Sequence, residues 1–383
     1  MKRITVVGFV ALLVLFSFMA CGPKAGIPVA GSAKAEDMLT LFPKDASAIM
    51  VIDVNRAMAT EPVSKMLADQ ETSSKLEEFV KETGIDVKKD VYFIAGGLIG
   101  SLQDKNPEGV LVINAKFNKD TLLAKIKEKG AEIKESVYEG IAVYEIHEPA
   151  KAEPTAETAP APEGDAPAED LTVDPGAPTE PPKVEKPDFA AFLDASNVAI
   201  GTEPGVKAVI DVLKKKKENV FKNADMAGLF KQAKKSSLLW AVVSIPPEVS
   251  KKMSQENPML GSLEGVHSLI FAFDYKNKAI EAEFKALNKD EAKNKQIAEF
   301  LTGLKAMGGM VGGNKPSLGE LLNKIEVTSG ADFVSLSANI PEELLTKLAA
   351  DFKDAMPKAM ETPQEAPEET PEVPQTTEDT DID

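Results

Sequence analysis

Cysteine occurs once in the 383 residues, histidine twice and arginine twice. Each shortage removes a class of function. A lone thiol, Cys21, forms no intramolecular disulfide, so the fold must be held by its core alone. His147 and His267 lie far apart, each inside a strand pattern, and with no second thiol they do not supply a metal-ligand cluster. No metal and no cofactor is therefore expected. No arginine follows Arg56, and arginine is the side chain best suited to phosphate and base-edge recognition, so nucleic acid is not an expected partner. The chain lacks the GxSxG nucleophile elbow. In GGMVGGNKPS (308–317) Asn314 intervenes and Pro316 follows Lys315, which breaks the phosphate-loop pattern, and GGLIGS (96–101) lacks GxGxxG spacing. Paired acids such as Asp86 and Asp90 fall on a turn, where capping accounts for them. The chain is read as non-enzymatic.

Beyond residue 20 there is no apolar run of the roughly 20 residues that a membrane-spanning helix needs. What stands before it is MKRITVVGFVALLVLFSFMAC: a basic start, a short apolar stretch and a small residue at the cut, the order of a secretory signal peptide over 1–20. Phe18, Met19, Ala20 and Cys21 resemble the lipobox of bacterial lipoproteins, although that pattern usually has leucine where Phe18 stands and a small residue where Met19 stands. The resemblance implies that Cys21 carries diacylglycerol and an amide-linked acyl chain such as palmitate, anchoring the protein to a membrane of the cell envelope. Gly22, where aspartate would mark retention at the inner membrane, points to the outer membrane facing the periplasm.

The net charge of −17 is not spread evenly. Residues 149–187 hold ten prolines, nine acids and three lysines, and residues 361–383 hold nine acids and no base, contributing −6 and −9. Both are poor in large apolar side chains and are expected to be disordered, extended by proline and by carboxylate repulsion. The expected organisation is a signal peptide (1–20), a lipidated cysteine with a flexible tether (21–37), a first α+β repeat (38–148), the acidic insertion (149–187), a connecting hairpin and helices (188–236), a second repeat (237–360) and the acidic tail (361–383).

The folded parts give an α+β class with mostly antiparallel sheets and packed helices. SAIMVIDV, VYFIAGGLIG and GVLVINAKF read as strands, NKDTLLAKIKEKG as a helix capped by Asn118, and AEIKESVYEGIAVYEIH as a hairpin turning at Glu139 and Gly140. SLLWAVVSI, the hairpin GVHSLIFAFDYKNKAIEAEFKAL, the helix after NKD at Asn288 and the hairpin IEVTSGADFVSLSANI repeat that order. This predicts a duplicated strand, helix, two strands, helix and hairpin unit. The insertion falls between AVYEI and FAAFL, two strands that could pair across it, since closing a loop of about 40 residues costs only roughly 2 kcal/mol more than closing a short one.

LFPKDASAIMVIDV, TGIDVKKDVYFIAGG and the succession VYEGIAVYEI to FAAFLDASNVAIGTEPGVKAVIDV resemble a group of uncharacterised bacterial envelope proteins. That resemblance implies no activity and no functional residue. Two features remain open to function. FLTGLKAMGGMVGG joins an apolar helix end to a glycine-rich stretch, and Leu304, Met307, Met310 and Val311 are candidates for a lid over an apolar ligand. The stretch 212–236 carries eight lysines, of which Lys214, Lys215, Lys216 and Lys217 are candidates for docking on an anionic surface. Two roles follow: an envelope interaction or scaffold module with protein partners, or a carrier of lipid or another apolar ligand.

Overall fold

A computed structural model describes residues 32–100, 107–147, 187–256, 264–311 and 316–353. The stretch expected to be a signal peptide, Cys21, the interior of the acidic insertion and the acidic tail lie outside these residues.

The chain enters by α1 (Ser32–Leu39) and β1 (Ala46–Asp53). Four short to medium helices follow, α2 (Val54–Met58), α3 (Glu61–Met66), α4 (Gln70–Thr83) and α5 (Val87–Asp90), leading to β2 (Val91–Ile99) and β3 (Glu108–Ala115). Then come α6 (Lys119–Glu128), β4 (Glu132–Tyr138), β5 (Ile141–His147), β6 (Asp188–Phe192), β7 (Asn197–Gly201), α7 (Glu203–Leu213), a 3₁₀ turn (Val220–Lys222) and α8 (Ala224–Gln232). The remainder is β8 (Leu239–Ser244), α9 (Pro247–Glu256), β9 (Ser268–Lys276), β10 (Ala279–Leu287), α10 (Glu291–Val311), α11 (Pro316–Asn323), β11 (Ile325–Ser329), β12 (Phe333–Pro341) and α12 (Glu342–Lys353).

All strands join one twelve-stranded sheet in the order β11-β12-β10-β9-β8-β1-β2-β3-β7-β6-β5-β4. Every neighbouring pair is antiparallel, so the α+β, antiparallel expectation holds. The tight turns are made by residues in the left-handed region, Glu139 and Gly140 between β4 and β5, and Asn277 and Lys278 between β9 and β10. The second turn lies one residue later than the sequence suggests. β5 pairs with β6 from Val143↔Ala191 to Ile146↔Asp188, so the ladder closes across the insertion.

The sheet also shows how the two halves correspond. β1-β2-β3-β7-β6 on one side of the centre mirrors β8-β9-β10-β12-β11 on the other, and a helix, α7 or α12, follows in each case. The hairpin that matches β11–β12 is thus β6–β7. The sequence pattern pairs β11–β12 with 131–147 instead, because both hairpins follow the helix opened by NKD. The strands β4–β5 are an addition at the outer edge of the first half.

Alternation along the strands sends side chains to two faces. On the first, Ile49, Val51, Phe93, Val112, Trp240 and Val242 are buried beneath Leu39 of α1, Val206, Val209 and Ile210 of α7, and Met226 and Phe230 of α8. Phe230 meets Trp240 edge-on, with ring centroids 6.1 Å apart. On the second face Ile52, Ile94 and Leu239 are buried beneath Val54, Val63, Leu67 and Leu76 of α2 to α4. In the second half α10 covers that face, Ile297 packing with Val334 and Ala286.

Candidate functional site

The helices leave part of the second face uncovered. Following directly opposed residues across the strands gives one continuous row on that face: Val327, Leu336, Phe284, Phe271, Ala241, Met50, Gly96, Leu111, Ile200 and Ala190. None carries a polar side chain. Two residues along, toward the end where β1 begins and β2 ends, Leu269, Val243, Ala48, Leu98 and Gly109 form a second apolar row. A soluble sheet face left open to water is ordinarily polar at alternate positions. Here it is apolar on both sides.

Where β8, β1, β2, β3 and β7 run side by side, the two rows line an open groove of about 500 Å³. Its volume lies within the approximately 300–1,000 Å³ typical of small-molecule sites. Ala48, Met50, Leu98, Leu111, Ile200, Ala241 and Val243 supply aliphatic walls, and each is partly exposed. Glycines set the depth. A Cβ on Gly96 would stand 2.9 Å from Leu111 Cδ2 and 3.8 Å from Met50 Cε, within the groove floor. Gly201 ends β7 against the carbonyl of Gly109, an approach that any side chain would block. Thr202 then starts α7 as its N-cap, its hydroxyl accepting from the Gly205 N–H at 3.2 Å. Asp188 supplies the carboxyl side chain at the rim.

A second groove, about 550 Å³, lies on the first face in the second half, lined by β9, β10 and β12. Its charges are matched locally. Lys276 Nζ is 2.6 Å from Asp274 Oδ2, Lys234 Nζ is 2.5 Å from Glu283 Oε2, and Arg56 Nη2 is 3.1 Å from Asp274 Oδ1. Arg56 also donates to the Ser236 carbonyl at 2.5 Å, tying the helix after β1 to the segment before β8. Beside it Asp53, itself buried, accepts from the Arg56 N–H at 3.0 Å. Burial pushes the Asp53 carboxyl above its ordinary value, against the lowering influence of the Arg56 N–H and guanidinium. This cluster binds the two halves of the sheet together and leaves little net charge for a ligand.

The residues singled out in the sequence do not converge. Leu304 and Met307 lie on α10, which continues as one helix to Val311, through the stretch that reads as a glycine-rich loop. Leu304 is 42% and Met307 62% exposed, forming with Phe300 a stripe at i, i+4 and i+7 that flanks the buried face of Ile297. Met310 and Val311 are near and at the helix end. Neither Leu304 nor Met307 lines the apolar groove. Lys214, Lys215, Lys216 and Lys217 follow α7 and are exposed, with Lys216 paired to Glu139 at 2.6 Å and Lys217 to Asp211 at 3.8 Å. His147 contacts Glu145 at 2.7 Å, whereas His267 contacts Ser268 at 3.0 Å. Asp86 caps α5, and its contact with Lys89 holds its carboxyl below the ordinary value. No cluster of three or more metal-ligating side chains forms among the described residues. No helix among them is long and apolar enough to cross a membrane.

Sequence reasoning misses the groove because its residues come from five strands, two of which belong to the second half or to the strands after the insertion. The signal available was modest: the glycines of VYFIAGGLIG interrupting an otherwise bulky apolar strand.

Residues 4–306 match a family described as "Protein of unknown function (DUF3352)". No curated protein matches the chain in sequence. Among solved structures, crystal form I of TP0453 is similar at a TM-score of 0.41 and 9% identity, covering 82% of this chain and 96% of that one. Form III gives 0.38 and 8%, with 82% and 97% covered. Form IV gives 0.37 and 9%, with 82% and 95% covered. A likeness this remote carries neither a function nor a residue role.

Proposed function

The chain belongs to the DUF3352 family, whose description assigns no activity, and from its own geometry we propose that it is a non-enzymatic, lipid-anchored envelope protein that holds an extended apolar chain in the groove across β8, β1, β2, β3 and β7. The observation that carries this reading is the part of the two apolar rows, across β8, β1, β2, β3 and β7, whose aliphatic side chains stay partly exposed on the second face. Exposing aliphatic side chains at the centre of a sheet is costly unless something covers them, because enclosing each methylene is worth about 0.8 kcal/mol. The walls are smooth and aliphatic and the floor is glycine, which suits an unbranched acyl chain better than a polar or a bulky ring-bearing ligand. The groove is open on one side, so a bound chain is only partly enclosed and the expected affinity is modest.

The reading of Cys21 as the lipid anchor rests on the residues before it. Cys21→Ser should lose acyl labelling and membrane association together, and labelling that persists would remove the anchor. For the groove, titration with an environment-sensitive fluorescent fatty acid should show one saturable site. Gly96→Leu, which places a side chain in the floor, should weaken that site about tenfold or more while thermal unfolding confirms that the fold is retained. Unchanged affinity in a folded Gly96→Leu protein would rule the groove out as the site. The scaffold reading, in which protein partners occupy the same surface, is the alternative that such a result would leave standing.

A further inference from the structure

A separate feature lies on the opposite face. The stretch 212–236, which caps the first face through α7, the 3₁₀ turn and α8, contains eight lysines against only Glu218 and Asp225. Four of the lysines are matched by carboxylates elsewhere in the body: Lys216 by Glu139, Lys217 by Asp211, Lys234 by Glu283 and Lys235 by Glu36. Lys214, Lys215, Lys222 and Lys231 are exposed and have no carboxylate at ion-pair distance among the described residues. Such a ridge attracts anions.

We propose that the acidic segment 361–383 of the same chain lies along this ridge and screens it from other anionic surfaces. Charge complementarity favours this occupant: the segment has nine carboxylates and no base, and the ridge has four lysines without a carboxylate at ion-pair distance among the described residues. Reach allows it. Seven residues separate Lys353, the end of α12, from residue 361, and at about 3.3 Å per residue they and the 23 that follow extend to roughly 100 Å. A compact body of this size is only about 50 Å across. The insertion 149–187 is the weaker candidate, since its nine acids are offset by three lysines and both its ends are fixed by β5 and β6. The contact is one of many weak exposed pairs, so it loosens as salt shortens the screening length from about 10 Å at 0.1 M to about 3 Å at 1 M.

The test is carbodiimide cross-linking of the mature full-length chain at low salt, with an equal mixture of ¹⁴N and ¹⁵N protein to separate links within a chain from links between chains. The expected result is that acids of 361–383 link within one chain to Lys214, Lys215, Lys222 and Lys231, and that 1 M salt abolishes these links. A chain ending at residue 360 should then bind vesicles containing about 30% phosphatidylglycerol at least tenfold more tightly than the full chain at low salt, with Lys→Gln at the four ridge positions cancelling the gain. Links scattered over all lysines, links mainly between chains, links from 149–187 instead, or equal vesicle binding by the two chains would each overturn the proposal.

Discussion

Single residues in this protein act chiefly by closing turns, and Asp194 shows how much one carboxylate carries. Between β6 and β7 its Oδ1 accepts from the N–H groups of Ser196 and Asn197 at 2.7 and 2.8 Å, and its Oδ2 accepts from the Asn197 side chain at 2.7 Å. Partial burial pushes the carboxyl upward, but the donated hydrogen bonds outweigh it and hold the group below its ordinary value. The folded form therefore prefers the ionised state, and this contribution is complete above the unfolded value near 4 and lost as pH falls through the lower folded value. Asp194→Ala should cost about 1 kcal/mol at pH 7, the side chain being exposed, and the difference from wild type should shrink toward pH 2 in urea unfolding. A difference independent of pH would mean that the turn does not depend on the ionised carboxylate. Asp53 has the opposite sign: its raised value makes stability fall as pH rises from about 4 through the folded value, above which the curve levels.

Among the elements, α10 carries two unlike faces. Ile297 is 2% exposed and packs with Val334 and Ala286, so Ile297→Ala should destabilise by about 3 kcal/mol. Met307→Ser, on the exposed stripe, should stay within about 0.5 kcal/mol. Urea midpoints of the two variants check this, and a large cost for Met307→Ser would show that the stripe is covered by something. The same helix marks a limit of sequence reading. Gly303, Gly308 and Gly309 each weaken a helix by about 1 kcal/mol relative to alanine, which argues for a loop. The helix persists because α11 packs against it: a Cβ on Gly308 would stand 2.9 Å from Leu322 Cδ1, so glycine at that position permits the close approach. The hairpin turns and the Asn118 cap are legible because their chemistry is local, the Asn118 side chain accepting from the Thr121 N–H at 2.9 Å. At Asn288 the same NKD tripeptide behaves differently. Asn288 accepts from the Asp290 N–H, and Asp290 in turn accepts from Lys293, so the helix begins three residues after the asparagine.

The whole molecule is a single sheet in which β1 and β8, the first strands of the two halves, meet at the centre from Ala48↔Val243 to Ile52↔Leu239. One core runs across that junction, with Ile49, Trp240 and Ile270 in the same buried cluster, and the Arg56 contacts with Ser236 and Asp274 tie it further. The antiparallel class is readable from alternating strands and short turns, whereas the order of strands is not, because nothing local to β7 announces that it pairs with β3 across some 80 residues. The groove is a property of this order alone. It exists because Ala241, Met50, Gly96, Leu111 and Ile200, distant in sequence, are brought directly opposite one another.

The measurement that bears most directly on this account is photo-cross-linking of the full chain with a diazirine-bearing palmitic acid, followed by peptide mapping. The account predicts label concentrated on Ala48, Met50, Leu98, Leu111, Ile200, Ala241 and Val243, and displaced by excess unlabelled palmitate. Label confined to Phe300, Leu304 and Met307 on α10, or an absence of saturable labelling, would contradict it.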